Sequence, residues 1–301
     1  MKAALLISAR SGGVAALGES VISEAAQKAA QTHGMSLTIV SGEAPELIEA
    51  ASALTEHDLI LCAGGDGTIA AVAGVLMGQH ATLAPLPCGT VNMLCRDLGI
   101  PLEIGAAIET AFDSDTQMID VGRIGDRVFL NNIVFGAYAE IAEAREELRS
   151  AETLSEAAAA VANAAGAAFA ANSMRYLLSI DGASTSIETN TVIVSNNAMT
   201  GAAGMVPQRA RLDEGALSVY LAETKTIIGF AGLLAMFANG GAEASLQIQR
   251  MACEQCTISG AGGLPLFLTI DGDAEEFPGP ISFSIARSAL KVIRPRLPAE
   301  A

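Results

Sequence analysis

Apolar runs of strand length alternate with helix-spaced apolar positions over the first third of the chain. Residues 3–7 form one run; Leu17, Val21 and Ile22 then share a helical face; residues 37–40 follow, and after them Leu47, Ile48, Ala51 and Leu54 at helical spacing. Continuous apolar strands separated by amphipathic helices are the pattern of a parallel sheet covered on both faces. Residues 59–63 predict a third strand and residues 82–86 a fourth, with Ile69, Val72, Val75 and Leu76 as the inner face of the helix between them.

The texture changes after Asp120. Residues 118–124 and 127–133 flank Gly125-Asp126, a pair suited to a two-residue hairpin, so an antiparallel domain is expected to begin here. Residues 151–174 are alanine-rich, with Leu154, Val161, Phe169 and Met174 as the large apolar side chains, and predict one or two helices. Further strands are expected at residues 176–180, 191–195, 216–221 and 266–270, and a helix at 227–238. The expected organisation is an α/β domain over residues 1–122, a β-rich domain over 123–285, and a segment over 286–301 that packs back on the first domain or stays apart.

With 301 residues, 51% of them hydrophobic and 17% charged, the chain has enough apolar material for two ordinary cores. A formal charge of -16 argues against a broad nucleic-acid surface and against non-specific adhesion to anionic lipid. Residues 1–7 are too short an apolar stretch for a signal-peptide core, and no run approaches the roughly 20 apolar residues that span a bilayer, so a cytoplasmic protein is expected. The five cysteines suit reduced core thiols; Cys253 and Cys256 form a C-x-x-C without a second pair to complete a zinc set.

The chemistry concentrates where the third apolar run breaks into Gly64-Gly65-Asp66-Gly67-Thr68. Glycines admit close backbone approach, and N–H groups at a helix start cradle anions, so phosphate is the natural guest. Asp66 would repel phosphate unless a divalent cation lay between them; alternatively it caps the helix that follows. The fourth apolar run ends in Pro87-Cys88-Gly89-Thr90-Val91-Asn92, a second special loop at the carboxyl end of a strand, where open α/β sheets bind ligands.

These two loops, Asp271-Gly272-Asp273, and between them Asn196-Asn197, Gly201, Gly204, Pro207 and residues 212–217, closely resemble the bacterial soluble diacylglycerol kinases, relatives of sphingosine and ceramide kinases. The resemblance spans nearly the whole chain. It implies an NAD-kinase-like α/β amino-terminal domain, a β-rich, sandwich-like carboxyl-terminal domain, and an active site in the interdomain cleft. By similarity, ATP lies on Gly64, Gly65, Asp66, Gly67 and Thr68, with Thr90, Asn92 and Thr38 nearby. Asp66 then organises the catalytic Mg²⁺. Asp273 stands where the family usually has a glutamate and is the expected general base, with Asp271 or a relaying water as alternatives. A second, structural Mg²⁺ would take the Glu214 carboxylate and the carbonyls of Arg211 and Ala216.

Two departures bear on this reading. The family's first loop commonly reads Asn-Pro-x-Ser-Gly, whereas Ser8-Ala9-Arg10-Ser11-Gly12 stands here, leaving Ser8, Ser11 and Gly12 as the nucleotide contacts. Met93-Leu94 follow Asn92 where diacylglycerol kinases often carry aspartate. The expected activity is therefore transfer of the ATP γ-phosphate to a lipid alcohol, most simply diacylglycerol, with ceramide, a sphingoid base or phosphatidylglycerol as alternative acceptors. A non-catalytic nucleotide- or lipid-binding regulator is the alternative of another class, and NAD kinase fits the second loop and the Asp271 turn poorly. The expected partners are ATP and a lipid at the membrane surface, met by transient contact with the inner membrane; a homodimer stays open, as does the role of Arg287, Lys291, Arg294 and Arg296 towards headgroups or towards acids of the first domain.

Overall fold

The computed structural model describes residues 1–136, 174–189, 191–203, 206–222, 248–271 and 273–296. The chain divides into two units, Met1–Val121 with Ala286–Ala301, and Gly122–Ile285. The expected helices over 151–173 and 227–238 lie outside the described residues.

In the first unit the parallel strands β1 (Lys2–Ser8), β2 (Ser36–Gly42), β3 (Leu59–Gly64) and β4 (Thr82–Pro87) are ordered β2-β1-β3-β4. All of β3 and β4 is buried, as the uninterrupted apolar runs require of strands covered on both faces. The carboxyl-terminal part of β18 (Ile281–Pro295) adds beside β4 in parallel, Val292 opposite Leu83. Because the chain steps from β1 outward to β2 and then back across to β3, the neighbouring ends of β1 and β3 form the switch point of the sheet.

Helices α2 (Glu19–Thr32) and α6 (Ile104–Phe112) pack together, His33 stacking on Phe112 at 5.9 Å, while α3 (Ala44–Ala53) packs on α4 (Asp66–Leu76). The expected face of Leu17, Val21 and Ile22 does not form. Gly18 at φ 89° ends α1 (Gly12–Leu17) and starts α2, which turns Ile22, Ala26, Ala29 and Ala30 inward and leaves Leu17 and Val21 exposed. A left-handed glycine breaks the helical phase, and alanines supply the close packing instead. Arg296 pairs with Asp113 at 2.5 Å and Asp115 at 3.3 Å, so this terminal arginine meets acids of its own unit.

The second unit is a β-sandwich-like body. One face is the six-stranded sheet β14-β13-β10-β7-β16-β17: β14 (Ile248–Cys253), β13 (Leu217–Ala222), β10 (Thr191–Asn196), β7 (Asn132–Gly136), β16 (Leu266–Ile270) and β17 (Asp273–Phe277). The other is built from β8 (Met174–Ile180), β9 (Ala183–Thr189), β15 (Gln255–Gly260) and the start of β18. Met174, expected in a helix, opens β8. Phe135, Val192, Val194, Val219 and Leu268 from the first sheet meet Tyr176, Leu178, Ile258 and Phe283 from the second. Phe283 lies edge-on to Phe129 at 6.4 Å and to Phe135 at 5.9 Å.

The hairpin at Gly125-Asp126 forms, with Ile124 of β5 (Ser114–Ile124) opposite Arg127 of β6 (Arg127–Phe129). The apolar run 127–133 is nonetheless two strands. β6 pairs with β5 and β7 pairs with β10, because Leu130 and Asn131 are drawn out of the ladder by the Asp271 carboxylate, which accepts both their N–H groups at 3.3 and 3.1 Å.

Candidate active site

Three loops leave the carboxyl ends of β1, β3 and β4 and hold one another. The Ser11 hydroxyl donates to the Cys88 carbonyl, and the Gly13 N–H donates to the same oxygen at 3.0 Å. A Cβ on Gly13 would lie 2.3 Å from that oxygen, so glycine is required for the contact. Gly65 and Gly89 face each other so closely that a Cβ on Gly89 would stand 2.8 Å from the Gly65 Cα. A Cβ on Gly64 would meet the Thr68 side chain at 2.9 Å and the Ser8 Cβ at 3.4 Å.

Asp66 sits at the first turn of α4 behind Gly65, a cap residue without a side chain, so the leading N–H groups of the helix are left to other acceptors. Its two carboxylate oxygens accept from the Asn92 N–H at 3.1 Å and the Met93 N–H at 2.9 Å. Asp66 thus straps the first glycine loop to the start of α5 (Met93–Asp97). Asn92, left-handed at φ 56°, turns its side chain back onto Gly89, accepting that N–H at 2.7 Å and donating to its carbonyl at 2.9 Å. Arg96 Nε donates to the Val91 carbonyl at 2.8 Å and closes the loop from the other side.

The expected site residues of this unit separate by role. Ser8 and Gly64 end β1 and β3, and Ser11, Gly12, Gly65, Asp66, Gly67, Thr68, Thr90 and Asn92 lie on the three loops or at the helix starts beside them. The Ser11 hydroxyl and the Asn92 amide are engaged in building the loops, which sequence reading had assigned to nucleotide. Thr90 is exposed and Thr68 half-buried.

Thr38 is opposite Ala4 in register, while the strand pair ends at Ser8 opposite Gly42, so Thr38 stands four residues, about 13 Å, from the loop end. Ser41 occupies the end instead, its hydroxyl donating to Glu19 at 2.9 Å. A period-two strand carries no mark of which hydroxyl ends nearest a loop; only the register with β1 decides it.

Burial pushes the thiols beneath the loops up, Cys62 to about 12 and Cys88 to about 11, so both remain protonated near neutrality.

In the second unit Asp273 opens β17, opposite Ile270 across a turn in which Asp271 adopts φ 48°. Asp271, the alternative base, has both carboxylate oxygens on the Leu130 and Asn131 N–H groups and works as a turn holder. The buried Arg209 grips the same turn from its other side, donating to the Leu130 and Asn196 carbonyls and, at 3.0 Å, to the Asn131 side chain. Its sequence context, a polar run before an acidic turn, carried no signal for this.

The residues of the expected second metal set, Arg211, Glu214 and Ala216, lie on the turn that leads into β13. The Ala216 carbonyl accepts from the Asn197 N–H at 3.2 Å and from its side-chain amide at 3.4 Å. The Glu214 carboxylate accepts from the Ala198 N–H at 3.0 Å and lies 3.9 Å from the Arg250 guanidinium. The Arg211 side chain pairs with Asp213 at 3.0 Å. Among the described residues no group of three or more His, Cys, Asp or Glu side chains is placed to hold a metal ion.

The model of the diacylglycerol kinase catalytic domain matches residues 2–124, and that of the YegS C-terminal NAD kinase beta sandwich-like domain matches residues 131–294. The chain belongs to the diacylglycerol kinase and YegS-like lipid kinase family. A probable lipid kinase YegS-like of Pseudomonas aeruginosa is 28% identical over 283 residues, 90% of this chain and 87% of that protein. The diacylglycerol kinase of Bacillus subtilis is 38% identical over 107 residues, 35% of each chain. That of Staphylococcus epidermidis is 34% identical over 99 residues, 32% of this chain and 31% of the relative, so these matches span about a third of either protein's length. A crystal structure of a diacylglycerol kinase from Bacillus anthracis superposes with a TM-score of 0.72 at 19% identity, covering 97% of this chain and 96% of that one, which establishes the shared fold.

Proposed function

We propose that this member of the lipid kinase family transfers the γ-phosphoryl group of ATP to the hydroxyl of a lipid alcohol, diacylglycerol being the simplest acceptor and phosphatidic acid the product. The observation that carries the reading is the backbone approach of Gly65 to Gly89, which sets the glycine-bearing loops after β3 and β4 together at the carboxyl ends of the strands, beside a helix start whose cap residue has no side chain. Phosphates are recognised by such backbone donors, and the lipid class of acceptor comes from the family.

In the proposed reaction the lipid oxygen attacks the γ-phosphorus, the bond from that phosphorus to the β-bridging oxygen breaks, and the hydroxyl proton passes to the Asp273 carboxylate. Residues 1–122 would bind the nucleotide and residues 123–285 the acceptor. Asp66 would hold the Mg²⁺: its carboxylate stands at the start of α4 between the two glycine loops, the hard oxygen donor such a cation takes beside phosphates. The cation supplies charge neutralisation at the phosphates. Asp66, Asn92 and Ser11 meanwhile keep the loops in place for the nucleotide, so that positioning is set before the nucleotide arrives. No step is assigned to Glu214, Arg211 or Ala216.

The test is transfer from labelled ATP, with Mg²⁺, to diacylglycerol, ceramide, sphingosine, phosphatidylglycerol and NAD in mixed micelles, for wild type and Asp273→Asn. One labelled lipid, lost in the variant, establishes acceptor and base. Labelled NADP overturns the lipid reading. ATP binding without transfer to any acceptor favours a non-catalytic regulator, a second reading that the altered first loop and the shortened Asp273 motivate.

A further inference from the structure

Among the described residues of the second unit, Arg209 is the one charged side chain that is buried, 3% exposed. A guanidinium is tolerated at such a position only where its donors meet acceptors, and its planar fork fixes where those acceptors stand. Nη1 donates to the Leu130 carbonyl and, at 2.8 Å, to the Asn196 carbonyl; Nη2 donates to the Asn131 side-chain oxygen at 3.0 Å. Asn196 adds a second grip, its side-chain amide donating to the Leu130 carbonyl at 3.1 Å and its N–H to the Asn131 carbonyl at 2.9 Å. Residues 130–131, which lie between β6 and β7, are thus held on their carbonyl side by the arginine and the end of β10.

On their N–H side the same two residues hold the turn after β16. Both donate to the Asp271 carboxylate, at 3.3 and 3.1 Å, and the Asp271 N–H donates to the Asn132 carbonyl at 3.2 Å. These bonds keep Asp271 at φ 48°, a conformation that a residue with a side chain adopts at a cost. Asp273 stands two residues further on, opposite Ile270 in the ladder. A shift of residues 130–131 therefore moves Asp271, and a shift of Asp271 moves the start of β17.

We propose, on the reading that Asp273 is the general base, that Arg209 is a positioning residue for phosphoryl transfer. It backs residues 130–131, these set Asp271, and the turn presents the Asp273 carboxylate to the acceptor hydroxyl. Proton transfer requires the base within hydrogen-bond reach of that hydroxyl, and a misplacement of about 1 Å can cost about 10²-fold in rate. Lysine would keep the charge, but it has no planar fork to hold two carbonyls and an amide oxygen in register.

The experiment measures steady-state transfer from labelled ATP to the lipid that the wild type labels, for the full-length protein, Arg209→Lys, Asp271→Asn and the double variant. Amide exchange at Leu130 and Asn131 is followed beside it as a readout that needs no turnover. In Arg209→Lys, kcat should fall about tenfold or more while KM for ATP and for lipid stays within about twofold, and both amides should exchange faster. Arg209 and Asp271 act on one turn, so the double variant should be within about threefold of the slower single variant; losses that multiply, as two unrelated defects would give, overturn the proposal. Arg175, exposed and paired with Glu188 at 3.3 Å in the same unit, is the control, and Arg175→Lys should leave kcat unchanged. If Arg209→Lys does not fold by circular dichroism, Asn131→Ala, which removes the acceptor of Nη2, should lower kcat about threefold or more with the same KM pattern. Unchanged kcat in the folded variant, or a kcat loss with exchange at both amides unchanged, overturns the positioning role alone, provided Asp273→Asn still abolishes transfer. Transfer by Asp273→Asn at the wild-type rate, or none by the wild type to any lipid, overturns the base reading and the positioning role together.

Discussion

Replacing Asp66 separates its role as a strap from any role towards a cation. Asp66→Ala leaves the Asn92 and Met93 N–H groups without the carboxylate that accepts them at 3.1 and 2.9 Å. Hydrogen bonds to a charged acceptor contribute about 1.5–3 kcal/mol each, and the half-buried position places this pair at the low end, about 2–3 kcal/mol together. Asp66→Asn keeps one acceptor oxygen and should lose about half of that. At about 2–4 °C per kcal/mol for a chain of this order, Tm of the alanine variant should fall by about 4–12 °C. The measurement is made by calorimetry without nucleotide and in the presence of a chelator, so that cation binding contributes nothing. Amide exchange at Asn92 and Met93 gives the local readout, expected to accelerate roughly 30- to 160-fold. Unchanged exchange at these two amides, with Tm within about 1 °C of wild type, would refute the strap.

Gly89→Ala forces a methyl to 2.8 Å from the Gly65 Cα and 3.1 Å from Asn92 Oδ1 and should cost about 1–3 kcal/mol together with ATP affinity. Gly12→Ala, which meets nothing within 4 Å, should stay within about 0.5 kcal/mol; thermal unfolding and nucleotide titration of the two variants check the contrast. Asp58 is held below the usual carboxylate range by the Lys2 N–H at 2.7 Å, with His80 at 3.4 Å assisting. A depressed carboxylate contributes stability above its unfolded value, about pH 3.9, and loses it as pH falls through the folded value. The stability difference between wild type and Asp58→Asn should therefore narrow on acidification below about pH 4, and a constant difference down to pH 3 would contradict the pairing.

The parallel strands were legible because burial on both faces leaves an apolar run that needs no partner to be recognised. β3 and β4 are such runs, and α4 buries Ile69, Val72 and Leu76 as its spacing foretold. Periodicity was less informative where glycine interrupts it. Gly18 reset the helical phase and put Leu17 and Val21 in solvent. It failed at residues 127–133, where an apolar pattern is compatible with one strand or two and the decision came from a carboxylate 141 residues away in sequence.

At the candidate site, residue type and spacing located the loops, since glycines in tandem before an apolar helix have few other uses. What each polar group does there was not written locally. Ser11, Asn92 and Asp66 are residues that suit a nucleotide, yet they bond to the Cys88 carbonyl, to the Gly89 peptide, and to the Asn92 and Met93 amides. The register of β2 on β1 sets Thr38 four residues from the loop end, and the fold brings the Asn197 amide onto the Ala216 carbonyl. The sequence by itself determined the alternation of elements, the two-unit composition and the positions of the glycine loops, because these depend on local period and on backbone freedom. The tertiary structure alone decided which donors meet which acceptors, because a hydrogen bond requires two groups within about 3 Å and chain distance says nothing about that.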